Sequence, residues 1–330
     1  MPKLLLHIGP HKTGSTYIQK YFFEGRSKLL DLGVNYPNIG FAGQYGQHEI
    51  VEQIKKLEPE QLRAYFAGLL AFESNFISSE NFDRLNAAEI EKLRGALYSD
   101  KEQIDVRIVY YHRNYSDLLP SWWQEEVKHG SMVSFYEFIL PHVLRPFASN
   151  IVNPAIVLDL YSNVFGRDHI SIVDYDRAKG NILRPIFELL GIEVGTVKNE
   201  IINSSLKIEI VEIIRALNTI AKARNQWNFH KTRALFLRKR RESAIAGDVE
   251  KLAAMIRDQM KPLRVTGGFF EKTVSASFKA SYESCFFNKV SDESPDRKVM
   301  IPSDSWMLNE NAVKTCEHIY EHIMTGDVSY

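Results

Sequence analysis

An α/β fold, with helices on both faces of a central parallel sheet, is what the sequence predicts. Three apolar runs carry that expectation: "KLLLHI", "DVRIVYYHR" and "HISIVDYD". Each is short and lacks a polar face, as a strand covered on both sides should. Helical patterns stand between them, and strands alternating with helices indicate βαβ units joined by right-handed crossovers.

Taken in order, Leu4 to Ile8 reads as the first buried strand and Thr16 to Leu32 as the helix it feeds. "DLGVNYPNIG" is a turn-rich exit with Gly33 as its stop signal. Helical patterns cover Glu49 to Leu70 and Ala87 to Tyr98, and "NFISSENF" between them reads as a short strand with a polar tip. A helix from about Ser116 through Lys128 follows the second long strand, and "ILRPIFELLGI" supplies one after the third. Beyond Ile201 the pattern is mostly helical. No repeat, low-complexity tract or clear linker interrupts the chain, so one domain is expected over residues 1–330. Residues 1–200 form its α/β core, and residues 201–330 form a helical extension that covers the acceptor side.

Lys+Arg and Asp+Glu both number 41, so no global field draws the protein to nucleic acid or a membrane. Any anion site must therefore be built locally. Cys285 and Cys316 lie far apart without metal-ligand spacing; two reduced thiols are the expected state, with one disulfide the alternative. No segment approaches the ~18 apolar residues of a membrane span, and the run Leu4 to Ile8 is too short for a secretion signal. The expected location is cytoplasmic.

The stretch "GPHKTGST" carries the first functional signal. A strand, a glycine-framed loop and a helix together aim unsatisfied N–H groups at an anion. Gly9 and Gly14 are separated by four residues, the frame of a P-loop, although any strand–glycine–helix junction shares that outline. In a nucleotide triphosphatase a lysine would follow the second glycine and a hydroxyl would then hold Mg²⁺. Here Ser15 takes the lysine's place, and Lys12 arcs over the anion from the loop instead. That placement suits charge developing on a bridging oxygen without a metal.

A second stretch, "VRIVYYHRNYSDLLPSWWQEEVKHG", puts Arg113 at the carboxyl end of a strand and Ser121 eight residues on. An arginine there is a bidentate fork for a terminal phosphate, at the edge where parallel sheets bind ligands. Taken alone, Arg113 is better explained by a solvated pairing with Asp117; together with the loop upstream it is not. A third stretch, "ISIVDYDRAKG", ends its strand at Tyr175, and its Asp174 equally suits the acidic strand end of a triphosphatase.

These motifs resemble those of the sulfotransferases that use 3′-phosphoadenosine 5′-phosphosulfate (PAPS). The family's 5′-phosphosulfate loop has a Lys-Thr-Gly-(Ser/Thr)-Thr core, matched by Lys12, Thr13, Gly14, Ser15 and Thr16. Its arginine and serine that grip the 3′-phosphate match Arg113 and Ser121. Tyr175 matches the tyrosine beside the adenine. The resemblance implies a P-loop NTPase-like three-layer sandwich and donor contacts from Gly9, His11, Lys12, Thr13, Gly14, Ser15, Thr16, Arg113, Ser121 and Tyr175. It implies PAPS as donor, 3′,5′-adenosine bisphosphate (PAP) as product, and no metal. The glycine-rich 3′-phosphate loop of cytosolic animal enzymes is not evident, so the chain looks closer to the bacterial and carbohydrate-modifying branches. The implied activity is transfer of a sulfuryl group to an acceptor hydroxyl on a carbohydrate or glycoconjugate.

Lys12 is the expected partner of the departing phosphate oxygen, because sulfuryl transfer is a problem of positioning and charge. Two residues compete as the base that activates the acceptor. Glu80 ends "FISSE", where carbohydrate sulfotransferases place a glutamate, and burial is expected to raise its pKa. His48, in "GQYGQHEI", needs little tuning. Either residue also has an ordinary reading, Glu80 as a helix cap and His48 as a surface residue. His112 is expected to face away from Arg113.

The basic run from His230 to Arg241 reads first as a solvated helix face and second as a lid over anions. Of Trp122 and Trp123, one is expected in the core; Phe269, Phe270 and Tyr282 serve either a sugar or the core. The rival functions are a P-loop kinase or NTPase, and a non-catalytic anion- or nucleotide-binding module.

Overall fold

The computed structural model describes residues 1–98, 104–192, 206–226, 228–263, 273–287 and 299–325. Two compact units divide the chain, and each is taken by itself.

The first unit comprises Met1–Asn114, Phe147–Asn203 and Glu271–Ser294. Its strands are β1 (Lys3–His7), β2 (Val34–Asn35), β3 (Ser74–Ser78), β4 (Asp105–His112) and β5 (Ile170–Asp174). They form one sheet in the order β2-β3-β1-β4-β5, with every neighbouring pair parallel. Side chains alternate across it as the pleat requires. Leu5, Phe76, Val109, Tyr111 and Val173 face helix α1 (Ser15–Glu24) through Ile18 and Phe22, together with Ile186 and Phe187. Leu4, Leu6, Ile77, Ile108 and Ile172 face the helices Ala87–Leu97 and Ala155–Phe165 through Leu93 and Leu158. The result is a three-layer α/β sandwich with a core on each face of the sheet, as the apolar runs predict.

Local chemistry divides two helices that the sequence suggests are continuous. The expected helix Thr16 to Leu32 is two, Ser15–Glu24 and Arg26–Asp31, parted at Gly25. The expected helix Glu49 to Leu70 is likewise Glu49–Lys56 and Pro59–Phe66, because Pro59 cannot donate to a preceding turn and starts a new helix instead. Val34 and Asn35, inside the turn-rich exit, pair with Ser74 and Asn75 as the edge strand.

The second unit comprises Tyr115–Pro146, Ser204–Phe270 and Pro295–Tyr330. It is mostly helical and adds an antiparallel pair, β6 (Met260–Leu263) with β7 (Val299–Pro302). Its centre is the helix Ile208–Ala223, where a buried charge group is fully engaged. Arg215 donates to Glu212 and to Asp304, each at 2.7 Å, and Trp306 Nε1 donates to Glu212 at 2.9 Å. A buried pair satisfied in this way fixes geometry more than it adds stability. Among the described residues, no helix is long and apolar enough to cross a membrane.

Candidate functional site

Register sets the site. His7 at the end of β1 is level with Ser78 at the end of β3, and β4 runs three residues past Val109, their neighbour in register, to His112. The chain leaving β1 turns toward β2, while β5 lies beyond β4 on the other side. That reversal makes the crevice at which parallel sheets take ligands. Ladder bonds continue past β1, from Tyr111 N–H to the Gly9 carbonyl at 3.1 Å and from Ser79 N–H to the His7 carbonyl at 3.1 Å.

The loop from Gly9 to Gly14 fills the crevice and leads into α1. Gly9 and Gly14 have φ of 106° and 78°, in the region open to glycine. A Cβ at Gly14 would lie 2.6 Å from Ile182 Cδ1, so that side chain would have to shift to admit one. Lys12 holds φ of 70° without being glycine, a conformation that costs of order 1–3 kcal/mol. The Thr13 hydroxyl closes the loop by donating to the Pro10 carbonyl at 2.7 Å, leaving backbone as its means of contacting a ligand. Thr16 is exposed at the start of α1.

Arg113, one residue beyond β4, reaches this loop. Its Nη1 donates to the carbonyl of Lys12, and its guanidinium carbon lies 5.1 Å over the Tyr175 ring. Its Nε is buried and has no hydrogen-bond partner among the described residues. Tyr175 also packs on the loop, 3.6 Å from the Cβ position of Gly14. Lys12, Gly14, Arg113 and Tyr175, drawn from three separated motifs, thus gather at one place. The Asp174 carboxylate caps the helix Tyr175–Ala178, its Oδ1 accepting from Asp176 N–H at 3.0 Å and Arg177 N–H at 3.3 Å. His112 turns away from Arg113, as alternation demands, and stacks on Phe278 at 5.3 Å.

Glu80 lies on the other flank of the loop and is 5% exposed. Ser15 Oγ donates to its Oε1, and Gln19 Nε2 donates to its Oε2 at 2.8 Å. His48 Nδ1 stands 3.6 Å from Oε2 and 2.9 Å from Ser79 Oγ, so the two candidate bases adjoin. Burial alone would raise the carboxyl pKa, the outcome expected from sequence. The charge of His11, the Ser15 hydroxyl, His48 and the Gln19 amide outweigh burial and hold Glu80 below the ordinary carboxylate range. The expected rise is therefore corrected to a fall. Burial pushes His11 down as well, against the charge of Glu80.

Sequence reasoning passes over several residues of this group. Gln19 holds Glu80; His7 Nδ1 sits 2.8 Å from Ser78 Oγ; and Ser79 joins His48. Gln19 has one local signal, lying four residues after Ser15 on the same face of α1. Ser121 lies in the second unit, on the helix Tyr115–Lys128, and is partly exposed. Trp123 is the core member of its pair. In the basic run, Arg233 donates to the Lys128 carbonyl at 2.8 Å and Lys239 to the Thr325 carbonyl at 3.2 Å, while Arg238 and Arg241 are exposed. Tyr282 is fully buried and donates to Asp159, which places it in the core; Phe269 and Phe270 lie outside the described residues.

Two buried histidines give a stability prediction. Burial lowers both His7 and His112 to about 4. Unfolded histidine binds a proton near pH 6.5, so between 6.5 and 4 the unfolded chain holds more protons and stability falls as pH falls. Each residue is expected to withdraw up to about 3 kcal/mol by pH 4. Urea midpoints at pH 7.5 and 5 should fall together for the wild type and less steeply for His112→Phe. An equal fall in both proteins contradicts the assignment to His112.

No family model and no curated protein matches the chain. Among solved structures it is similar to a sulfotransferase from Alicyclobacillus acidocaldarius, at 12% identity and a TM-score of 0.40, over 68% of this chain and 96% of that one. What the site does has to be read from its own residues.

Proposed function

We propose that the protein is a sulfotransferase that moves a sulfuryl group from PAPS to an acceptor hydroxyl, on a carbohydrate or glycoconjugate. One observation carries the reading: the Arg113 guanidinium reaches the Lys12 carbonyl while lying over Tyr175. A loop for one phosphate, a fork for another and a ring for a base thereby adjoin, and a nucleotide phosphorylated at both its 3′ and 5′ positions needs that set. The buried Nε of Arg113 is a donor waiting for an acceptor, which suits the 3′-phosphate.

In this reading the N–H groups opening α1 hold the 5′-phosphate, and Lys12 neutralises the bridging oxygen as its bond to sulfur breaks. Glu80, ionised and oriented by Ser15 and Gln19, accepts the proton of the acceptor hydroxyl as that oxygen bonds to sulfur. A carboxylate offers about four lone-pair sites, so those two donors leave room for the acceptor. His48 braces the same carboxylate through its 3.6 Å approach. The electron pair leaves with PAP, and the proton passes from Glu80 to solvent. Buried free thiols at Cys285 and Cys316 fit a cytoplasmic setting.

Thermal shift in the presence of EDTA separates this from a metal-dependent kinase or NTPase. A ligand at 100 Kd stabilises the native state by about 2.7 kcal/mol, which raises Tm visibly. PAP is expected to give that shift with EDTA and ATP a smaller one. A shift from ATP alone, abolished by EDTA, rejects the proposal.

A further inference from the structure

The stripe of α1 that holds Glu80 continues beyond it. Ser15, Gln19 and Phe23 stand at i, i+4 and i+8, so they share one helix face. At 1.5 Å per residue, Phe23 lies about 12 Å along the helix from Ser15. There the Phe23 ring meets Phe41 at 5.1 Å and Tyr45 at 5.5 Å, both edge-on. Arg26 lies 4.3 Å over Phe23 and 5.5 Å over Phe41, and its Nη1 donates to Asn38 Oδ1 at 2.8 Å. Arg26 thus braces Phe23 and Phe41, and Phe23 in turn meets Tyr45. Tyr45 is 37% exposed, and Phe23 and Phe41 are half-buried.

The same segment returns to the candidate base. Tyr36 donates its hydroxyl to the Tyr45 carbonyl at 2.9 Å, which pins the backbone one residue before Gly46. Gly46 runs so close to the site that a Cβ there would lie 2.6 Å from His48 Nε2 and 2.7 Å from Gln19 Oε1. The segment 38–47 and helix α1 therefore tie the Glu80–His48 pair to the aromatic cluster, with Tyr45 its exposed member. Gln44 is exposed beside Tyr45, and with Asn38 and Arg26 gives the cluster a polar rim. An enclosed apolar pocket suits an apolar acceptor, whereas an open ring with polar neighbours suits a sugar.

We infer that Tyr45, backed by Phe23 and Phe41, is an acceptor subsite for a carbohydrate of more than one ring, one ring stacking on Tyr45 while the hydroxyl of another meets Glu80. This rests on the proposed sulfuryl transfer and adds to it the length of the acceptor and the residue that selects it. Tyr45 is a specificity residue here and takes no part in bond making.

The test uses the full chain with PAPS and four acceptors: N-acetylglucosamine, chitobiose, cellobiose and 2-naphthol. Tyr45→Ser is expected to raise KM for the accepted disaccharide about tenfold, a loss of one stacked ring. Its kcat, its KM for the monosaccharide and its thermal shift with PAP should stay at wild-type values. Tyr45→Phe should restore the disaccharide KM, which a general loss of folding would not allow. An unchanged disaccharide KM in Tyr45→Ser, turnover of 2-naphthol alone, or refusal of every sugar by a protein that binds PAP overturns the inference. A wild-type protein without any PAP shift removes the underlying reading instead.

Discussion

Replacing Lys12 with methionine is expected to lower kcat by about 10²–10³ while PAP binding weakens far less, because removing one preorganised charge costs the transition state most. Methionine keeps the length of the stem, so the loss reports the ammonium. Single-turnover transfer from PAPS measures it, and a kcat close to wild type removes Lys12 from the mechanism. The backbone offers an independent check. Lys12 holds φ of 70°, which glycine adopts freely, so Lys12→Gly should abolish turnover and still raise stability by about 1 kcal/mol. A variant more stable and inactive is the signature of strain kept for function.

Glu80→Gln should cost about 10²–10⁴ in kcat, the usual worth of a positioned base, with PAP affinity retained. Glutamine matches the shape of glutamate and still accepts from Ser15 through its amide oxygen, so the loop stays in place. His48→Ala should cost less, since His48 approaches Oε2 at 3.6 Å whereas Ser15 and Gln19 bond the carboxylate directly. Should His48→Ala lose turnover and Glu80→Gln keep it, the two roles exchange. The depressed pKa adds a sign: Glu80 is already ionised in the neutral range, so turnover should not climb through that range on its account.

Features that depend on local chain chemistry could be read directly from the sequence. The loop of Gly9 to Thr16 is a strand running into a helix through two glycines, and nothing distant is needed to see it. Arg113 stands at the end of an apolar run, where the carboxyl edge of a parallel sheet must lie. Features that depend on register are not legible in this way. Ser78 matters because it is level with His7, 71 residues away, and Gln19 matters because β3 delivers Glu80 beside it. The direction of the Glu80 pKa is of that kind too, since burial is visible in a pattern and the four surrounding groups are not. β2 is illegible in the sequence for another reason: two residues carry no periodicity, and only pairing with Ser74 and Asn75 makes them a strand. By sequence Tyr282 suits a sugar contact or the core equally, and its full burial with a hydroxyl bond to Asp159 places it in the core.

Titration calorimetry of PAP and AMP against the wild type and Arg113→Ala asks most directly whether loop and guanidinium serve one nucleotide. If they do, the wild type binds PAP at least about tenfold more tightly than AMP, and Arg113→Ala erases that preference while leaving AMP nearly untouched. Equal affinities of the wild type for PAP and AMP, or a preference that survives in Arg113→Ala, contradict the account.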